Sequence, residues 1–152
     1  MEKARHDAAV NHEYVLRRAA PDDAQFVLDV QRICMDAYVK SIWPDFIWPE
    51  VAAHLNCEAI KIITFKNRDV GYVETSAQPG EIFLDSLYVL PEYQGLGLGS
   101  KILLEIKGNC ARSGIALRLS VLKNNARAKM FYIREGFRVC KETHDRFHME
   151  AI

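Results

Sequence analysis

"VLPEYQGLGLGS", Val89 to Ser100, carries three glycines at alternate positions behind a glutamine. It lies between an apolar run that alternates like a strand and one that repeats like a helix. Glycine loses more conformational freedom on folding than any other residue, so three at one junction need a reason. Two readings are available. The glycines either supply a tight strand-to-helix turn with positive φ, or keep side chains away from a ligand resting on main-chain N–H groups at a helix start. A dinucleotide fingerprint G-x-G-x-x-G begun at Gly95 would need glycine where Ser100 stands. A P-loop would follow its last glycine with lysine and then a hydroxyl residue; here Gly99 precedes Ser100 and then Lys101. Both patterns fail. What remains is Gln94-x-x-Gly97-x-Gly99 behind a strand and Pro91.

Outward from that turn, "EIFLDSLYVL" (81–90) reads as a strand stopped by Pro91, and "SKILLEIKGNCARSG" (100–114) as a helix. Ile102, Leu103, Ile106 and Cys110 share one helical face there, and Gly114 is the stop. "ALRLSVL" (116–122) alternates Leu117, Leu119 and Val121 against Arg118 and Ser120, a period-two strand. "NNARAKMFYIREG" (124–136) reads as a helix begun by asparagine and ended by Gly136, and "FRVCKET" and "RFHMEAI" as two closing strands. Towards the N-terminus, "AIKIITFKNRDVGYVETS" (59–76) is a hairpin with Asn67, Asp69 and Gly71 as turn residues. "YVLRRA" (14–19) is a short strand. "APDDAQFVLDVQRICMDAYVKSI" (20–42) is a helix started at Pro21 and Asp22, in which Phe26, Val30, Ile33 and Ala37 recur every three or four residues. The proline-broken "WPDFIWPEVAAHL" (43–55) reads as a loop and a short helix. The order β-α-α-β-β-β-α-β-α-β-β predicts an α/β (α+β) fold: a mixed sheet with helices on both faces, not a regular doubly wound one.

The 152 residues suit one domain, expected over 14–152, with a polar leader over 1–13. Lys plus Arg and Asp plus Glu number 20 each, so no net field favours nucleic acid or an acidic membrane. No apolar run approaches the roughly 20 residues that span a bilayer, and the start has no signal-peptide block. Cys34, Cys57, Cys110 and Cys140 show no metal or disulfide spacing and read as thiols of a reducing, cytoplasmic setting, with no metal expected.

The chain resembles the GCN5-related N-acetyltransferases (GNAT), users of acetyl-coenzyme A. Their signature Q/R-x-x-G-x-G/A is matched by Gln94, Gly97 and Gly99 after the strand "LYV" and a proline. A second element, N-x-x-A-x-x-F-Y-x-x-x-G-F, is matched by Asn125, Ala128, Phe131, Tyr132, Gly136 and Phe137. The resemblance runs over nearly the whole chain from Val15. It implies a GNAT fold of six or seven mostly antiparallel strands in which the parallel fourth and fifth splay apart. It further implies that the amides of Gly95, Leu96, Gly97, Leu98, Gly99 and Ser100 wrap the coenzyme A pyrophosphate, with Gln94 beside them. Leu87, Tyr88 and Val89 would pair with the pantetheine arm, and Asn125 would reach it from the other side. From the residues alone, Asn125 is equally a helix cap.

Direct transfer to an amine expels a thiolate, and a tyrosine hydroxyl suits its protonation. By the resemblance, Tyr132 is that general acid, and a backbone N–H beside Val89 holds the oxyanion, worth about 3 kcal/mol. Glu74, Glu81 and Asp85 are alternative general bases; Glu81, Phe83 and Asp85 share one strand face, and the family's occasional glutamate falls on Phe83 here. A water relay is a further route. Trp43, Phe46 and Trp48 could line an acceptor pocket, with Asp45 or Glu50 drawing an ammonium group. The implied activity is acetyl transfer to a primary amine of a small molecule or peptide, without nucleic acid or membrane, and a homodimer is expected. A silent coenzyme A-binding regulator and a protein N-terminal acetyltransferase are the alternatives.

Overall fold

Strand Ile60–Phe65 buries Ile60 and Ile62 on one side and Ile63 on the other, so its sheet is covered on both faces. The computed structural model describes residues 14–50, 52 and 54–152; the leader expected over 1–13 lies outside them. In chain order the strands are β1 (Tyr14–Arg18), β2 (Ile60–Phe65), β3 (Arg68–Gln78), β4 (Glu81–Val89), β5 (Ala116–Leu122), β6 (Phe137–Glu142) and β7 (Arg146–Ala151). The helices are α1 (Ala24–Ile42), α2 (Leu98–Arg112) and α3 (Ala126–Arg134). One seven-stranded sheet runs β1-β2-β3-β4-β5-β7-β6. Only the β4–β5 pair is parallel, as a strand-helix-strand crossover through α2 requires.

The two faces have separate cores. Val27 and Val30 of α1 pack with Ile60, Ile62 and Tyr72. On the opposite face, Leu98 and Ile102 of α2 meet Ile63 and Val70, while Leu103 of α2 and Tyr132 of α3 meet Leu84, Leu119 and Met149. Burial, not propensity, holds α2 in place. Its Gly99 and Gly108 cost about 1 kcal/mol each against alanine. Leu98, Ile102 and Leu103 are essentially fully buried, and each returns about 1.5–3 kcal/mol.

Three local expectations are corrected. The β2–β3 turn is the pair Lys66–Asn67, at φ 51° and 64°, the geometry of a tight primed hairpin. Asp69 and Gly71 therefore sit inside β3. Gly71 is glycine because of close approach: a Cβ there would lie 2.1 Å from the Tyr88 carbonyl oxygen. Between α1 and β2, the described residues form turns and irregular backbone rather than a short helix; Pro44 and Pro49 interrupt the donors such a helix would need. Finally, the β3–β4 register passes from Glu74↔Ser86 to Thr75↔Leu84, skipping Asp85. That β-bulge breaks the two-residue period, so Glu81 and Phe83 do not predict where Asp85 points.

The bulge also positions the site. β4 and β5 pair from Glu81↔Ala116 to Leu84↔Leu119 and no further, although both strands continue. Pairing ends where the extra residue bends β4 away.

Candidate active site

Beyond Leu84 and Leu119 the two strands enclose a cleft of about 680 Å³ that opens towards the glycine turn at one end and towards α1 at the other. Leu90 N–H donates to the Val70 carbonyl at 2.8 Å. Successive residues of an antiparallel ladder turn alternately in and out, so Leu87 and Val89 aim their main-chain groups away from β3, into the splay. The Val89 carbonyl is already engaged: Gln94 Nε2 donates to it at 2.8 Å and the Cys34 thiol at 3.5 Å. Gln94 thus ties the turn back onto the end of β4. Its side chain has a structural task that sequence alone did not reveal.

Gly95 and Gly97 adopt φ 80° and 81°, the left-handed region that favours glycine. Nothing lies within 4 Å of the Cβ either would carry. Gly97 caps α2, whose first N–H groups have no acceptor within the helix. Amides and the positive end of the helix dipole together make an anion cradle. Every residue expected to contact the cofactor lines the cleft except Leu96, which is exposed outside it. Leu98 contributes backbone alone, its side chain being buried in the core. Ser100 spends its hydroxyl on Glu135, donating at 2.7 Å and so joining α2 to the end of α3. Asn125 caps α3, accepting from Ala128 N–H at 3.1 Å, and also faces the cleft.

Tyr132 projects from α3 into the same gap. It is 8% exposed and packed edge-on between Phe131 and Phe137 at ring distances of 5.1 and 5.6 Å. Burial pushes its hydroxyl above the ordinary tyrosine range, and the nearby Tyr88 adds to the shift. It therefore holds its proton at neutral pH. On the α1 side, the Tyr72 and Tyr88 rings meet edge-on at 5.6 Å, with Ser86 beside both hydroxyls. Burial lifts Tyr88 to about 12 and Cys34 to about 11.

The three carboxylates separate. Glu81 lies at the closed end of the β4–β5 pair, bound by Arg118 at 3.2 Å, and does not reach the cleft. Asp85, the bulged residue, is exposed and lines the cleft. Glu74 is half-buried opposite Ser86; burial first, and Asp85 second, raise its carboxyl above the usual range. Phe46 and Trp48, stacked edge-on at 5.0 Å, line a separate depression of about 590 Å³ beside α1, where Trp48 Nε1 donates to Asp36 at 2.7 Å. It adjoins the main cleft through Ile33, which borders both. Trp43, Asp45 and Glu50 line neither.

Sequence reading missed the basic side chains of the cleft: Arg127 and Arg134 on α3, and Arg146 at the start of β7. The α3 pair was within reach, since Arg127 and Arg134 are seven residues apart and share a helical face. Arg146 was not, because strand order decides what it faces. Among the described residues no group of three or more His, Cys, Asp or Glu could hold a metal ion, and no helix is long and apolar enough to cross a membrane.

A family profile described as an acetyltransferase (GNAT) domain matches residues 56–139, more than half of the chain. The 5-NmdU N-acetyltransferase of Pseudomonas phage PaMx11 is 28% identical over 131 residues, covering 85% of this chain and 90% of the phage protein. The thialysine N-epsilon-acetyltransferase of Bos taurus is 44% identical over 52 residues, which span 34% of this chain and 31% of the bovine protein. Among solved structures, the PaiA N-acetyltransferase of Thermoplasma acidophilum in complex with coenzyme A matches at a TM-score of 0.68 and 18% identity, covering 91% of this chain and 98% of that one. That level of identity speaks for the fold.

Proposed function

The chain belongs to the GNAT acetyltransferase family, and from that premise we propose that its cleft takes acetyl-coenzyme A as the donor substrate and passes the acetyl group to a primary amine. The observation that carries this reading is the early end of β4–β5 pairing at Leu84 and Leu119. It leaves the main-chain groups of Leu87 and the N–H of Val89 facing the gap, where an extended arm could bond them as a further strand would. The anion cradle over Gly95–Ser100 suits the pyrophosphate, with Arg127 and Arg134 supplying positive charge from α3.

In the proposed reaction the amine nitrogen, entering from the α1 face, attacks the thioester carbon. The C–O π electrons move to oxygen and are held by an N–H of the splayed strand, the Val89 amide. The C–S bond then breaks, and Tyr132 gives its proton to the departing sulfur. The burial that lifts the tyrosine acts in the same direction on a thiolate formed in the same gap, so the shift does not by itself part donor from acceptor. The proton lost by the amine goes to Glu74, directly or through the hydroxyls around Ser86. A carboxylate held above its ordinary pKa is a better match to that task than an exposed one. Asp85 is the alternative sink.

The test is thiol release from acetyl-coenzyme A across a panel of amines, beside calorimetric binding of coenzyme A. Turnover with any amine supports the enzyme. Tight binding with no turnover on small amines or peptides would favour a silent binder instead.

A further inference from the structure

The acceptor face carries both signs of charge, on opposite sides of the splay. In the β5–β7 ladder, Leu119↔Met149 and Val121↔Phe147 belong to the core under α2 and α3. The alternate pairs, Ser120↔His148 and Leu122↔Arg146, therefore face α1. Asn124 Nδ2, donating to the Tyr38 carbonyl at 2.9 Å, fastens α1 over this edge. Arg146 is partly buried and lines the cleft there. Its charge also bears on the Tyr88 hydroxyl.

Among the described residues, no carboxylate pairs with Arg146. Its neighbours are committed elsewhere: Asp145 accepts from Thr143 at 3.2 Å, Glu142 pairs with Lys123, and Glu150 pairs with Arg138 at 3.1 Å. A guanidinium taken partly out of water without an anion is unfavourable, and its planar fork matches a carboxylate through two parallel hydrogen bonds. Across the splay, Asp85 lines the cleft from β4, and Glu74 of β3, outside that lining, is coupled to it electrostatically.

We propose that Arg146 is the acceptor's anion-binding residue, and that the amine acetylated here is zwitterionic, an amino acid or amino-acid-like molecule whose carboxylate docks on Arg146 while its amino end lies towards Glu74 and Asp85. This deepens the acetyltransferase reading and rests on it. One guanidinium opposite two carboxylates suits a single anionic group next to a cationic one. A polyphosphate or nucleic-acid acceptor would bring several negative charges against Glu74 and Asp85, and is disfavoured by the same arrangement.

The test uses matched pairs of amines with and without the carboxylate: L-lysine and cadaverine, L-histidine and histamine, L-tryptophan and tryptamine, L-alanine and ethylamine, with O-phosphoethanolamine against β-alanine. Thiol release from acetyl-coenzyme A is measured for the wild type, Arg146→Gln and Arg146→Lys, and coenzyme A binding by calorimetry for each. The expected result is that in at least one pair kcat/KM favours the carboxylate by tenfold or more. Arg146→Gln reduces that preference to within about threefold, and Arg146→Lys keeps part of it, all three proteins binding coenzyme A alike. Equal or better use of the decarboxylated amine in every pair, a preference for the phosphate, or a carboxylate preference that survives Arg146→Gln overturns the proposal. So does normal coenzyme A binding with no carboxylate-bearing amine consumed. Loss of coenzyme A binding by the wild type would overturn the acetyltransferase reading instead.

Discussion

Leu84 and Leu119 are the last residues at which β4 and β5 face one another across a ladder, and the bulge at Asp85 follows at once. A ligand arm that pairs with the splayed strand should therefore protect specific amides. On adding coenzyme A, hydrogen exchange is expected to slow at Leu87 and Val89, and over Gly95–Ser100 at the start of α2. Exchange at Leu117 and Leu119, already in the sheet, should change little. Protection confined to α1 would place the ligand on the wrong side of the sheet.

Tyr132 packs through its ring and acts, on the proposed mechanism, through its hydroxyl. Tyr132→Phe keeps the edge contacts with Phe131 and Phe137, so the melting temperature should hold within a few degrees. The turnover number should fall about 10²- to 10³-fold, the range for a lost general acid, with the KM for acetyl-coenzyme A near its original value. A kcat within threefold of wild type would remove Tyr132 from the chemistry.

Gly97 and Gly71 look alike in the sequence and differ in what they prevent. At Gly97 a side chain meets open space but must adopt φ 81°, at about 1–2 kcal/mol. Gly97→Val should therefore leave a folded protein whose coenzyme A affinity drops at least tenfold, because the valine stands where the pyrophosphate is proposed to rest. At Gly71 a Cβ would strike the Tyr88 carbonyl. Gly71→Ala should instead lower unfolding free energy by about 3 kcal/mol, read by urea denaturation, since β3 must move away from β4. If both substitutions affected only stability, the glycine turn would be a corner and nothing more.

These two glycines also mark how far the sequence could be read. The signals that worked were local and periodic: Leu117, Leu119 and Val121 do alternate into the core, Asn125 does cap α3, and Gly114 and Gly136 do end helices with positive φ. The family's two motifs placed the cleft, because they fall on a turn and a helix that meet across it. What failed depended on distance through space. The hairpin turn closes at Lys66 and Asn67, ahead of Asp69 and Gly71, and Gly71 is glycine because its backbone presses on Tyr88 of the next strand. The bulge at Asp85 is invisible to a period-two count. Glu81 looked as good a base as Glu74 until strand pairing set Arg118 beside it. Arg146 carried no motif at all.

Glu74 offers the last test, through pH. Burial and Asp85 favour its protonated form in the fold. Its folded pKa is thus above the unfolded value near 4.5, and the sign for stability follows. The contribution is fully present below the unfolded pKa and is lost as pH rises through the folded one. Glu74→Gln, which cannot ionise, should therefore gain stability relative to wild type at neutral pH and show no gain at pH 4. Activity runs the other way. If Glu74 takes the amine's proton, wild-type kcat/KM should fall as the medium is acidified through the raised pKa, with a limb above the ordinary carboxylate range. Glu74→Gln should lower kcat/KM about 10²-fold and remove that limb, leaving the slope set by the amine itself. The two readouts separate the roles: a stability gain with activity and limb intact would make Glu74 a buried charge of the fold and pass the proton to Asp85 or water.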